Sequence, residues 1–183
     1  MIEDDAGMKS VFPRKGGSLS ECDAAFDVAS KTLSATVTDA AEFFLQNDPH
    51  LFDGYQTAFE VLSHLLFWHC EYVAIIQALR NDVQPELRAG TFAELNQVAT
   101  EEFAGIPVDE LANQLLAYQK TFEDELGQIT NLLIEFPIKC GGRTKSVRDR
   151  VPSIESHIRN HVRRLRSAER HGEEWVKAYY QDN

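Results

Sequence analysis

Apolar residues recur along this chain at steps of three and four, the signature of amphipathic helices. The first such stripe holds Cys22, Phe26, Ala29, Leu33, Val37, Ala40 and Phe44. Ser18 and Glu21, three apart, form a capping-box pattern at its start, and Pro49 stops it. A second stripe holds Leu62, Leu66, His69, Val73, Ile76 and Leu79, with a parallel row at Val61, Leu65, Trp68 and Tyr72. Two rows predict a wide buried face. Asp53 and Gln56 are placed to cap this helix, and Asn81, Asp82 and Pro85 to close it. A third long helix is predicted over 109–135, with Leu111, Leu115, Tyr118, Phe122, Leu126, Ile129, Leu133 and Phe136 on one stripe. A fourth is predicted to begin near Pro152, since proline suits the first helical position. Its stripe is Ile154, Ile158, His161, Leu165 and Ala168, and Gly172 either ends it or lets it run on through Trp175 and Tyr179.

The segments between these stripes are less regular. Residues 1–17 mix charges with Pro13, Gly16 and Gly17 and show no periodicity, so a flexible N-terminal segment is expected there. A short helix is expected over 92–103, and 137–150 reads as a loop. No convincing period-two alternation and no internal repeat appears. Four long amphipathic helices predict an all-α fold, a four-helix bundle with a long connection between its second and third helices, in a single domain over 18–183.

Composition narrows the function classes. The 183 residues include 29 acidic and 18 basic side chains, a net charge of −11. Neutralising phosphates requires a cationic face, so neither a nucleic-acid partner nor an anionic membrane is expected. The three cysteines, Cys22, Cys70 and Cys140, are widely spaced and contain no C-x-x-C pair. That spacing predicts no disulfide framework and fits a reduced, cytoplasmic setting. The N-terminus lacks a signal-peptide pattern, and no run approaches the roughly 18 uninterrupted apolar residues of a spanning helix. The charge is also uneven. Lys139 to Arg170 carries ten basic and three acidic residues, a segment of +7 in a chain whose remainder is −18. Such a segment can form a cationic rim for an anionic substrate, or it can pair internally with the acidic helices or lie at a subunit interface.

The histidines carry the candidate chemistry. His157 and His161 form H-x-x-x-H within the fourth helix. Four residues rotate a helix by about 400°, so both rings leave one face a turn apart. Two imidazoles so placed can share one divalent ion, and catalytic sites commonly add a third protein ligand. His64 and His69 of the second helix are the candidates. They are about 140° apart around the axis, so one site uses one of them, and spacing does not choose. The competing reading makes all of these hydrogen-bonded core histidines.

The residues 61–69, with His64 followed by Leu65 and then Trp68, resemble the second-helix signature of the DinB-like superfamily. His157, Ile158, Arg159, Asn160, His161, Val162 and Arg163 look like that family's last core helix, and Glu94-Leu95-Asn96 is familiar from some of its branches. The resemblance covers most of residues 19–170. It implies a four-helix bundle holding a divalent metal, nickel or zinc, on three histidines. Carried over position by position, those are His64, His157 and His161. It further implies activities such as transfer of a low-molecular-weight thiol, thiol-dependent isomerisation or hydrolysis of a small-molecule substrate; separately, a helix face left over from core packing would serve as the interface of a homodimer.

On this reading a metal would favour the deprotonated form of a bound water or thiol. Glu60 and Ser153, each about one turn from a histidine, are the candidates to orient the rings, and Trp68 is a candidate pocket wall. Cys70 reads as a small buried hydrophobe and Cys140 as exposed without a mark of activation. Gly141-Gly142 lacks the rest of a phosphate-binding loop, and no G-x-S-x-G elbow supports a serine triad. The alternative function is a non-catalytic interaction or stress-response protein with structural histidines.

Overall fold

The computed structural model describes residues 19–181, with side chains over 24–179. The expected N-terminal segment and the Ser18–Glu21 capping pattern lie outside the described side chains. The described chain is mostly helical: α1 (Leu19–Gln46), α2 (Ala58–Arg80), α3 (Phe92–Glu102), α4 (Val108–Leu126), α5 (Val147–His171) and α6 (Glu173–Gln181). A two-stranded antiparallel hairpin, β1 (Glu135–Phe136) with β2 (Lys145–Ser146), stands between α4 and α5. These strands are too short for sequence alternation to mark them.

Helix α1 packs against both α4 and α5, and α2 packs closely against α4. The core runs between them, filled by side chains such as Leu33, Phe44, Leu62, Leu66, Leu115, Phe122 and Leu165. Burying each such side chain contributes roughly 1.5–3 kcal/mol. By contrast α2 and α5 meet sparsely. That loose seam positions the candidate site. By length and composition α2 is apolar enough to cross a membrane, yet 67% of the apolar window is buried inside the protein. Its two apolar rows are satisfied by neighbouring helices.

Three boundaries differ from those read along the chain. Helix α2 is capped by Thr57, not by Asp53 and Gln56: Thr57 and Glu60 form a reciprocal capping box. Asp53 instead folds the preceding turn by accepting from the amides of Tyr55 and Gln56. Helix α4 stops at Leu126, well short of 135. Gly127 follows it, and the apolar positions beyond serve an extended segment. There Ile134 and Leu132 offer their carbonyls to the amides of Val147 and Arg148, the first two residues of α5. Helix α5 accordingly starts five residues before Pro152, with Ser146 as its cap on Asp149 N. Pro152 lies inside the helix, where it lacks the N–H that would bond Arg148 O. Two stripe positions, Tyr118 and Leu133, are exposed. Gly172 ends α5 with φ of 82°, a left-handed conformation that glycine adopts without strain, and α6 follows as a separate helix.

Most of the basic segment is engaged within the protein. Arg166 pairs with Asp39 at 2.7 Å, Arg159 with Glu155 at 3.2 Å and Arg164 with Asp53 at 3.0 Å. Arg150 donates to the carbonyls of Phe136 and Arg143, tying the hairpin to α5. The capping box gives a direct test. Thr57→Ala should lower stability by about 1 kcal/mol in urea unfolding, because an orphan amide loses its acceptor. An unchanged midpoint would show that α2 is held by packing alone.

Candidate metal centre

His64 leaves the middle of α2, and His157 and His161 leave α5 one turn apart. The three rings face one another across the seam, with centroids 4.6 to 5.0 Å apart. One ring nitrogen from each lies within 4.8 Å of the others, a cluster that can hold a metal ion. His64 is 5% exposed, while His157 presents an open edge. The described structure therefore brings together His64, His157 and His161. His69 stays outside the cluster: it is buried, bonds Gln119 at 2.7 Å, packs on Phe122 and contributes to the lining of the cavity beside His64.

The tautomer of His64 follows from its neighbours. Asn96 Oδ1 lies 3.0 Å from the indole N–H of Trp68 and 2.7 Å from His64 Nδ1. Indole only donates, so this amide atom accepts, and His64 Nδ1 must also donate to it. His64 Nε2 is thereby left bare and points at His157 Nε2, 2.6 Å away. An imidazole held through one nitrogen with the other open is the arrangement of metal-ligating histidines. Without an ion, a proton on His157 Nε2 satisfies the same contact.

The third ring is held differently. Arg164 Nη2 donates to His161 Nδ1 at 3.1 Å, so that nitrogen accepts and the neutral ring carries its proton on Nε2. Metal binding through His161 therefore requires loss of that proton or release of Arg164. Arg164 Nε lies 3.0 Å from Asp53 Oδ2, although the two are not aligned as a hydrogen bond. Asp53 is fully buried, and Arg164 is the cation that compensates its charge.

Burial sets the basicity of all three rings. Desolvation, then the neighbouring His157, lowers His64 to about 4 despite its bond to Asn96. Desolvation, then His157, His64 and Arg164, lowers His161 to about 2. His157 is lowered by the protein packed around its inner side, then by Arg164, although its outer edge is open. The rings are thus neutral and able to coordinate at neutral pH.

The residues expected to orient the rings are engaged elsewhere. Glu60 serves the α2 cap, and Ser153 accepts from Lys145 and donates to Asp149 O. The contacts to the rings come from Asn96 and Arg164. Nothing in local spacing marked Arg164. Asn96 fell within a familiar tripeptide but had no assigned role. Trp68 does wall a cavity beside His64 and His157. Burial pushes the Cys70 thiol up to about 11, which favours the thiol over the nucleophilic thiolate at neutral pH. Compared with known protein families, curated proteins and solved structures, the chain matches none.

His69 supplies a pH test free of the cluster. Burial lowers it to about 4, while the unfolded ring titrates near its ordinary value of 6.5. Below 6.5 the unfolded state takes up a proton that the folded state refuses, so this stability is present above 6.5 and is lost as pH falls towards 4. At pH 5 the loss amounts to about 2 kcal/mol. Urea unfolding should show a smaller drop between pH 7 and pH 5 for His69→Leu than for wild type. Equal drops would place the titration elsewhere.

Proposed function

We propose that this chain is a four-helix bundle of the DinB-like type whose His64, His157 and His161 hold one divalent metal, nickel or zinc. We further propose that it is a metal-dependent enzyme acting on a small molecule, either transferring a low-molecular-weight thiol or hydrolysing its substrate. The observation that carries this reading is the convergence of three neutral imidazoles from two helices, one of them bared at Nε2 by a fixed bond at Nδ1. The donor set fits the group, since imidazole nitrogen suits zinc and nickel and three ligands leave a position open.

A bound divalent ion supplies Lewis acidity and favours the thiolate or hydroxide form of what binds it. The protein's own part is orientation. Asn96 holds the His64 ring by one hydrogen bond and is itself fixed by Trp68. Arg164 positions the His161 ring through Nδ1, a contact that would be released, or the ring's Nε2 proton lost, when an ion is held. The open edge of His157 and the adjoining cavity give a small molecule access.

A second reading rests on the contact between His64 Nε2 and His157 Nε2, which two rings can satisfy without an ion. The histidines would then be structural and the chain a non-catalytic interaction or stress-response protein.

Elemental analysis of protein purified without a histidine tag separates the two. The proposal predicts about one nickel or zinc per chain, lost in His64→Ala and His157→Ala and kept in His69→Ala. Absence of metal under all loading conditions contradicts it. Asn96→Ala should weaken metal affinity about 10- to 100-fold, as loss of a group orienting a ligand does, read by competition with a chelator. Unchanged affinity would remove Asn96 from the account.

A further inference from the structure

Beside His64 and His157 the α2–α5 seam opens into a cavity of about 310 Å³. Its walls are mainly apolar: Leu65 and Trp68 from α2, Phe92 from the first turn of α3, Ile138 from the loop, and Ile154 and Ile158 from α5. Tyr72 and Ser153 add hydroxyls, His69 adds a third imidazole beside those of His64 and His157, and no acidic side chain among the described residues lines it. The ring of Phe92 stands 5.4 Å from that of Trp68, so two aromatic faces bound the space.

Ammonium groups stand beside two of its lining residues, Ser153 and Phe92. Lys145 donates to Ser153 Oγ at 2.7 Å, and Ser153 has its own proton committed to Asp149 O. That leaves two ammonium N–H groups of Lys145 for another acceptor. No carboxylate among the described residues pairs with Lys145. Lys139 stands 5.2 Å over the outer face of Phe92, anchored to Gly90 O, and so props the aromatic wall. Burial keeps the Tyr72 phenol neutral, pushed up to about 12, so it is available as a donor. An apolar chamber with donors and a cation at its edge favours a ligand with an apolar body and a single anionic end. An amine would meet Lys145 with like charge, and an alcohol would leave it without a counter-charge.

We propose that this cavity binds a compact hydrophobic carboxylate, its apolar body between Trp68, Phe92 and the isoleucines and its carboxylate on Lys145 beside Ser153. The proposal names the substrate class of the site and rests on the reading of the adjoining histidines as a metal centre.

Trp68 is a built-in reporter, because the chain has only one other tryptophan, Trp175. In a Trp175→Phe background, fluorescence titration with phenylacetate, phenethyl alcohol and phenethylamine tests the class directly. Phenylacetate should give a saturable change with an affinity about tenfold above that of the alcohol, since a charge-assisted bond is lost in the alcohol. The amine should give none. Lys145→Met should bring phenylacetate down to the level of the alcohol and leave the alcohol unchanged. Equal responses to all three compounds, no response to any, or indifference of phenylacetate to Lys145→Met overturns the proposal. Metal content measured on the same samples keeps the two readings apart. Metal bound with no phenylacetate response sinks the ligand class alone. A Lys145-dependent response with no metal uptake supports the ligand class and sinks the metal centre.

Discussion

The structure turns on the seam where α2 faces α5. Elsewhere neighbouring helices close on each other through leucine, isoleucine and phenylalanine, but this seam is filled by three imidazoles. Buried polar rings must find partners, because an unsatisfied ring nitrogen costs more than its packing contributes. Asn96 from α3 meets His64 Nδ1, Arg164 from α5 meets His161 Nδ1, and His64 Nε2 meets His157 Nε2. The short helix α3 therefore matters beyond its length: it delivers the amide that fixes the central ring.

The same requirement shapes the surroundings. Arg164 contributes only while Asp53 compensates its charge, and Asp53 is held by the turn that leads into α2. Outside the cluster, His69 is tied through Gln119 to Glu123, and the Ser34 hydroxyl of α1 meets that carboxylate. One helix thus carries two buried histidines with opposite assignments. His69 is locked into a polar chain linking α1, α2 and α4, whereas His64 faces two other imidazoles. Because the helices stay apart at the imidazole seam, a cavity remains beside it.

Much of this was legible along the chain. The long helices followed from apolar periodicity, since each buries one stripe, and the turn between His157 and His161 followed from helix geometry alone. Periodicity could not choose between His64 and His69, because both lie on the wide buried face of α2. The choice depends on which helix packs opposite, α5 or α4. The end of α4 is hidden for a related reason: apolar residues from Ile129 onward serve an extended segment whose carbonyls cap α5, which a stripe of spacing cannot reveal. Asn96, Arg164, Asp53 and Lys145 were beyond reach because each acts through residues distant in sequence. The excess of arginine on α5 was visible, but its pairing with Asp39, Asp53 and Glu155 was decided by packing.

The central claim is that His64, His157 and His161 share one ion, and anomalous diffraction tests it most directly. Crystals of protein grown with nickel or zinc, measured across the absorption edge of the metal, should show a peak bounded by the three rings. His64 Nδ1 should remain on Asn96, and Arg164 should have released His161 or the ring lost its Nε2 proton. A map with no peak there, and with His64 Nε2 still bonded to His157 Nε2, would contradict the account and leave the histidines as structural members of the seam.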